Sequence, residues 1–465
     1  MKARMALLIS MAMLASGCAV ERGSLPLSSC RLDASPIATV VPGLRHRGDA
    51  SEPQAPEVSA YEDQLARKLV AAYRARTGFS EPQAPGERAF RQLILSGGGQ
   101  WGSFGTGFLH GWARRPGDGD KLPDFDSVTG VSTGALQATL AFLGRDPAAG
   151  SGRTFPTALD FPAGWAESPR REFEVDDLEA GYTITKPDTL YRYHGTKGVI
   201  RHASAGDLVP LKARMEQIIT PETLTAVARE GNDNKRLLNV AIVDWDTGDA
   251  LSVDMVKLAS QLREDKSNFQ AVQQCYVNVL LAASSETLAM PPVRIQRTDA
   301  EHPLADGTLY YDAGIRFGVF SQQLDAARLA REYLSQERGE DQSDVGSSLY
   351  IIANNELRVD PIKQEKRGKY NALDLAGRGR EVLVNQVYLM SIERIFAAAK
   401  AAQPADTVYF AYVTSDIVKR CRALDEVVAE RKALGEGRHF YPRFMLCLRQ
   451  AGEKRGLEGD WDHPV

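Results

Sequence analysis

Apolar and polar positions change period several times along the chain. From residue 60 to 76 the apolar positions Tyr61, Leu65, Leu69, Ala72 and Tyr73 recur at helical spacing, which predicts one helix packed on a larger body. From Arg88 onward short apolar runs alternate with helical stretches. Phe90–Leu95 reads as a strand ending in Ser96-Gly97-Gly98-Gly99, and Gly105–Ala113 as a helix. Asp126–Thr129 and Gly134–Leu143 repeat the strand-then-helix order. Leu237–Val243 reads as a buried strand, with Ala250–Met255 its partner across the Asp246–Asp249 turn. Asn268–Ala283 is a helix, Ser348–Ala353 a strand, Val382–Ala402 a long helix and Thr407–Val413 a last strand. Strands alternating with helices imply a three-layer α/β domain with a mostly parallel sheet. The Pro-, Gly- and aromatic-rich stretch 144–200 breaks the alternation and reads as an insertion or surface crossing near a site entrance.

The N-terminal part has another character. A basic start, an apolar run over Ala6–Leu14 and Leu14-Ala15-Ser16-Gly17-Cys18 form a secretory signal. Its end resembles the bacterial lipoprotein lipobox, with Ala15 where a large aliphatic residue is usual. The resemblance implies lipidation at Cys18 and, with Ala19 next, the outer membrane facing the periplasm. Residues 19–54 are rich in Pro, Ser, Gly and Arg without periodicity and read as a tether. The expected division is therefore a signal peptide at 1–18, a tether and helix at 19–87 and a main domain at 88–455. After Cys18 no run of apolar residues reaches the length of a membrane span.

Composition narrows the classes. The 465 residues carry a net charge of −4, and no basic run points to nucleic acid as a partner. The five cysteines lack metal spacing. No metal constellation is visible, so neither a cofactor nor calcium is expected. Cys421 and Cys447 lie close enough in sequence to pair, with buried free thiols an equal alternative.

The chemistry concentrates in two glycine-flanked turns. Gly97-Gly98-Gly99-Gln100-Trp101-Gly102 follows a strand and opens a helix, which presents free N–H groups to an anion. A phosphate-binding P-loop fails for want of Gly-Lys-Ser/Thr, and the acid a dinucleotide site needs is missing. Gly130-Val131-Ser132-Thr133-Gly134 sits between a strand and a helix, the setting of a nucleophile elbow. A histidine base would complete an α/β-hydrolase triad. Yet of the seven histidines the five after Ser132, His194, His202, His302, His439 and His463, stand in no convincing turn after a strand and all read as surface residues. Asp312 is better placed: the apolar run Leu309-Tyr310-Tyr311 delivers it to Ala313-Gly314, and a buried carboxylate within reach of a serine serves as its base. Asp306-Gly307 is a decoy without such a strand.

At this point the chain resembles the patatin-like phospholipase family over roughly 88–447. The glycine loop, the Ser132 elbow, the segment Leu280–Val293 with its Pro-Pro, and Asp312-Ala313-Gly314 occur in that family's order. The resemblance implies an α/β/α patatin-like fold. Ser132 is then the nucleophile and Asp312 the base, Gly97, Gly98 and Gly99 the oxyanion-hole donors, and Gly130 and Gly134 the elbow glycines. It implies a lipid or acyl-ester substrate, cleaved through an acyl-enzyme. Two departures stand out: Trp101 holds a position where the family usually has Arg or Lys, and Ala313 replaces a glycine. The first keeps an alternative open, a membrane-tethered scaffold that retains the fold without catalysis.

Overall fold

The computed structural model describes residues 25–37, 56–78, 89–117, 121–144, 174–195, 204–287, 289–297, 307–320, 322–338, 345–359, 372–435 and 439–462. Cys18, the signal segment, Asp306, His202, His302 and His463 lie outside them.

Ten strands form one mixed, mostly parallel sheet. They are β1 (Leu27–Cys30), β2 (Ala34–Pro36), β3 (Ala89–Leu95), β4 (Ser127–Gly130), β5 (Leu237–Asp244), β6 (Ala250–Asp254), β7 (Val293–Arg297), β8 (Thr308–Asp312), β9 (Gly346–Ala353) and β10 (Thr407–Tyr412). Their order is β1-β7-β8-β5-β4-β3-β9-β10, with β6 paired to both β5 and β2. Strands β5, β4, β3, β9 and β10 run parallel, and β8 joins antiparallel to β5, with Asp312 opposite Ile242. Central strands are mostly apolar and buried on both faces because helices cover both.

The longer helices are α1 (Pro56–Thr77), α2 (Gly102–Ala113), α3 (Thr133–Leu143), α4 (Glu174–Tyr182), α5 (Val209–Ile218), α6 (Pro221–Asn232), α7 (Phe269–Ala283), α8 (Gln322–Arg338), α9 (Ala372–Ala401), α10 (Ser415–Ala423), α11 (Asp425–Leu434) and α12 (Pro442–Glu458). Leu65, Leu69 and Tyr73 of α1 pack on Phe90 and on Ala326, Ala330 and Leu334 of α8. Arg76 at the end of α1 holds the buried Asp126 at 2.8 and 2.9 Å.

The tether reading fails for residues 25–37. Leu27–Cys30 is an edge strand paired in parallel with β7, and Ala34–Pro36 pairs with β6. Cys30 and Leu32 are buried, and Cys30 is disulfide-bonded to Cys275 of α7. Its short strands carry too few apolar residues to show a period. Cys421 and Cys447 form a second disulfide, between α10 and α12.

Residues Asp374–Ala401 of α9 are long and apolar enough to cross a bilayer by length and composition, a stretch that scattered charges hide in the sequence. In this fold the C-terminal half buries Ile392, Ile395 and Ala399 against the sheet, which accounts for part of its apolar content. Leu375, Val382, Leu383 and Met390 on the same helix stay exposed.

Candidate active site

Ser132 stands between β4 and α3 with φ 53° and ψ −124°, outside the regions an L-residue prefers. Strain of this kind persists only where neighbours over-determine it. Here they do. A Cβ on Gly134 would lie 2.3 Å from the Leu95 carbonyl oxygen, and one on Gly130 2.4 Å from that of Gly134. The two glycines let the turn tuck under the end of β3, and the Val131 N–H donates to the Leu95 carbonyl at 3.1 Å.

Asp312 ends β8 and is 4 % exposed. Its backbone N–H donates to the Ser285 carbonyl at 3.1 Å, so the Leu280–Val293 segment positions it. Its carboxylate accepts the Gly314 N–H at 2.7 Å, and the Ser132 hydroxyl beside it favours its ionised form. Burial pushes the carboxyl up to about 6, against the opposing pull of Ser132 and the Gly314 N–H. Tyr388 of α9, itself buried, lies beside the pair. Burial and the nearby Asp312 charge hold its phenol far above the ordinary range.

The glycine loop is fixed from beneath by a buried polar network. Asn354, just past β9, donates its backbone N–H to the Ser96 hydroxyl (2.7 Å) and its side-chain amide to the Ser96 carbonyl (2.8 Å) and Gln137 (2.9 Å). Gln137 in turn donates to the Gly102 carbonyl at 2.6 Å. Gly98 has φ 151°, and a Cβ there would sit 1.6 Å from the Asn354 carbonyl oxygen. The Gly98 and Gly99 N–H groups make no hydrogen bond among the described residues. The Gly97 N–H differs, donating to the Gly318 carbonyl at 3.3 Å. Gly97 is therefore better read as an anchor of the loop than as an oxyanion donor. The N–H of Thr133, first in α3, is an orphan of the helix start. It stands directly after the serine, a donor that the elbow geometry signals and the motif reading missed.

Trp101, in the position where a cation was expected, fastens the loop. It packs edge-on against Phe444 of α12 at 5.3 Å, with the Arg422 guanidinium 5.8 Å from its ring centre. Gln100 accepts the Tyr441 N–H at 3.1 Å, so the loop's far end is tied to the start of α12.

Two chambers meet at Ser132. One is apolar and lined by Leu136, Leu140, Leu178, Leu211, Met215 and Ile218 of α3, α4 and α5. The other is polar and lined by Gly98, Asp312, Glu286, Arg380, Tyr388 and His439. Gly99, Ser132, Glu286, Met290 and Phe440 border both. The described part of 144–200 is thus chamber wall: Leu178, Gly181, Tyr182 and Leu190 face it. The Tyr182 hydroxyl also bonds Thr133 beside the serine.

The histidines divide. His194 pairs with Asp207 at 2.9 Å and lines neither chamber at the serine. His439, expected at the surface, instead lines the polar chamber, because the turn before α12 folds over the site. Burial and the Arg380 charge hold its pKa below the ordinary value. His110 bridges Glu179 (2.8 Å) and Glu453 (3.2 Å), a grouping with metal-like spacing. Arg449 pairs with Glu179 there and Arg114 with Asp176, so cations of the chain already serve this cluster.

A mostly parallel sheet flanked by helices, with a strained serine after a central strand and an apolar chamber beside it, is the arrangement of α/β lipid hydrolases. The family model Patatin-like phospholipase matches residues 93–320, and over that span the chain belongs to the patatin-like phospholipase family. No curated protein matches the chain. Among solved structures, VipD from Legionella pneumophila is similar at 12% identity, over 78% of this chain and 67% of that one, with a TM-score of 0.25.

Proposed function

We propose that the protein is a serine lipid acyl hydrolase of phospholipase A or esterase type, working through a Ser132–Asp312 dyad. One observation carries the reading: a strained serine beside a buried carboxylate at the junction of an apolar and a polar chamber. The acyl chain lies in the apolar chamber and the leaving group in the polar one. Ser132 Oγ attacks the ester carbonyl carbon while its proton passes to Asp312. The N–H groups of Gly98, Gly99 and Thr133 receive the developing oxyanion. The C–O bond to the leaving alcohol breaks, and the alcohol takes the proton from Asp312. Water then attacks the acyl-serine, giving its proton to Asp312, and the free acid departs as Ser132 regains a proton. No cofactor enters these steps.

Asp312 must be ionised to act as base. Because burial raises it to about 6, kcat/KM on a soluble ester is expected to rise with pH and level off above that value. An aspartate is a weaker base than imidazole, so turnover of soluble esters is expected to be modest.

The test is covalent labelling by a fluorophosphonate, scored by mass, on wild type, Ser132→Ala, Asp312→Asn and His439→Ala. The reading expects Ser132→Ala to be unlabelled and Asp312→Asn to be slowed about 10²–10⁴-fold. His439→Ala should label at a rate near that of wild type. Full labelling of Asp312→Asn with none of His439→Ala would instead identify a histidine-based esterase. A folded wild type that never labels would favour the non-catalytic scaffold.

The N-terminal sequence supports delivery to a membrane by a lipid on Cys18. Metabolic labelling with an alkyne fatty acid, lost in Cys18→Ser, tests that part separately.

A further inference from the structure

Arg380 is the only Arg or Lys among the described residues lining the polar chamber. It projects from α9 on the stripe that also brings Val384 and Tyr388 to that wall, and it is ion-paired with Glu286. The pair is partly open to the cleft, with the Arg380 side chain 27% and the Glu286 side chain 33% exposed. Glu286 follows α7 in the segment that also positions Asp312, and it borders both chambers. The pair therefore stands where the leaving-group side of an ester held at Ser132 would lie.

An ion pair of this exposure contributes little to stability. It does keep unused bonding capacity. A guanidinium has five N–H donors in a fixed fork, and a carboxylate engages at most two. Its remaining edge suits a phosphate. The carboxylate keeps lone pairs for a cation. An anionic phosphate on Arg380 leaves Glu286 facing a negative neighbour, a cost that an ammonium on the same ligand removes. A net-anionic head group brings no such relief.

Resting on the acyl-hydrolase reading above, we propose that Arg380 and Glu286 form a dipolar head-group site that selects zwitterionic glycerophospholipids, with phosphate on Arg380 and ammonium on Glu286. With Trp101 in the glycine loop, the cation of this chamber comes from α9. Arg380 and Glu286 are specificity-determining residues that take no part in bond making or breaking.

The test separates recognition from chemistry by measuring binding in the full-length Ser132→Ala protein. The probes are soluble dihexanoyl phosphatidylethanolamine, dihexanoyl phosphatidylglycerol and dihexanoylglycerol. Phosphatidylethanolamine is expected to bind about tenfold tighter than phosphatidylglycerol. Adding Arg380→Gln should lower the affinity ratio of phosphatidylethanolamine to dihexanoylglycerol about tenfold, whereas Arg380→Lys, which keeps the charge, should lose less. Glu286→Gln should bring the two phospholipids to within about threefold of each other. The proposal is overturned if Arg380→Gln weakens all three ligands alike while melting as its parent does. It is equally overturned if Glu286→Gln leaves the selectivity intact. Selective binding without fluorophosphonate labelling of the Ser132 protein would sink the hydrolase reading and leave this one standing. Labelling without selectivity would do the reverse.

Discussion

Two groups of glycines serve this protein in opposite ways. At the site, Gly98, Gly130 and Gly134 let the backbone approach itself so that Ser132 is held in a strained turn beside a buried carboxylate. Between α2 and α12, Gly107 and Gly111 face Gly452 and Gly456 in a reciprocal contact. A Cβ on Gly107 would lie 1.9 Å from the Arg449 carbonyl oxygen, and one on Gly452 2.0 Å from that of Phe104. The helices thus meet backbone to backbone. The first group stores strain and buries charge; the second removes a gap and brings Phe104, Phe108, Met445 and Leu448 into one core. The same residue type spends stability in one place and supplies it in the other.

The largest effect expected of a test falls on the site half. Gly98→Ala forces a Cβ into the Asn354 backbone and an unfavourable φ on a residue with a side chain. Misaligning the N–H donors of the loop should lower kcat about 10²–10³-fold, the usual cost of losing one such donor. The melting temperature should move far less than the rate. A Gly98→Ala enzyme that keeps its rate but melts early would put Gly98 in the packing group. Next comes Gly452→Val, which pushes the two helices apart and should cost about 3 kcal/mol in urea unfolding. Rate per folded molecule should stay near wild type, because α12 touches the site only through its first turn. A rate loss matching that of Gly98→Ala would dissolve the distinction.

The sequence exposed these two regions unequally. The site could be read because elbow, loop and Asp312 each need a short local pattern at the end of a strand, as the loop follows Ala89–Leu95 and Asp312 ends Thr308–Asp312. The α2–α12 contact could not, because its glycines pair across more than three hundred residues, and each glycine alone reads as a weak helix position. The same limit hid the start of α9. Gly377 and Gly379 flank Arg378 with nothing near their Cβ positions, so propensity argued against helix where the helix begins. Arg380 and Glu286 share no motif, and only the fold brings them together. Residues 25–37 were misjudged because their order comes from pairing with β7 and β6 and from the Cys30–Cys275 bond.

The smallest effect expected tests whether the site half really costs stability, and its sign is fixed by linkage. Asp312 has a folded pKa of about 6 against 3.8 for an ordinary aspartate. The folded state therefore holds this proton more tightly than the unfolded chain. The group's contribution is full below pH 3.8, declines as pH rises toward 6 and is lost above it. Asn at this position carries no titrating proton and can still accept the Gly314 N–H. Asp312→Asn should thus be more stable than wild type by about 2 kcal/mol at pH 8, with the difference fading toward pH 4. Urea unfolding at both pH values measures it. A variant that is less stable at pH 8 would mean that the ionised carboxylate's interactions with Ser132 and Gly314 outweigh its burial. The dyad would then contribute to stability as the helix interface does, and the contrast between the two regions would rest on the strain at Ser132 alone.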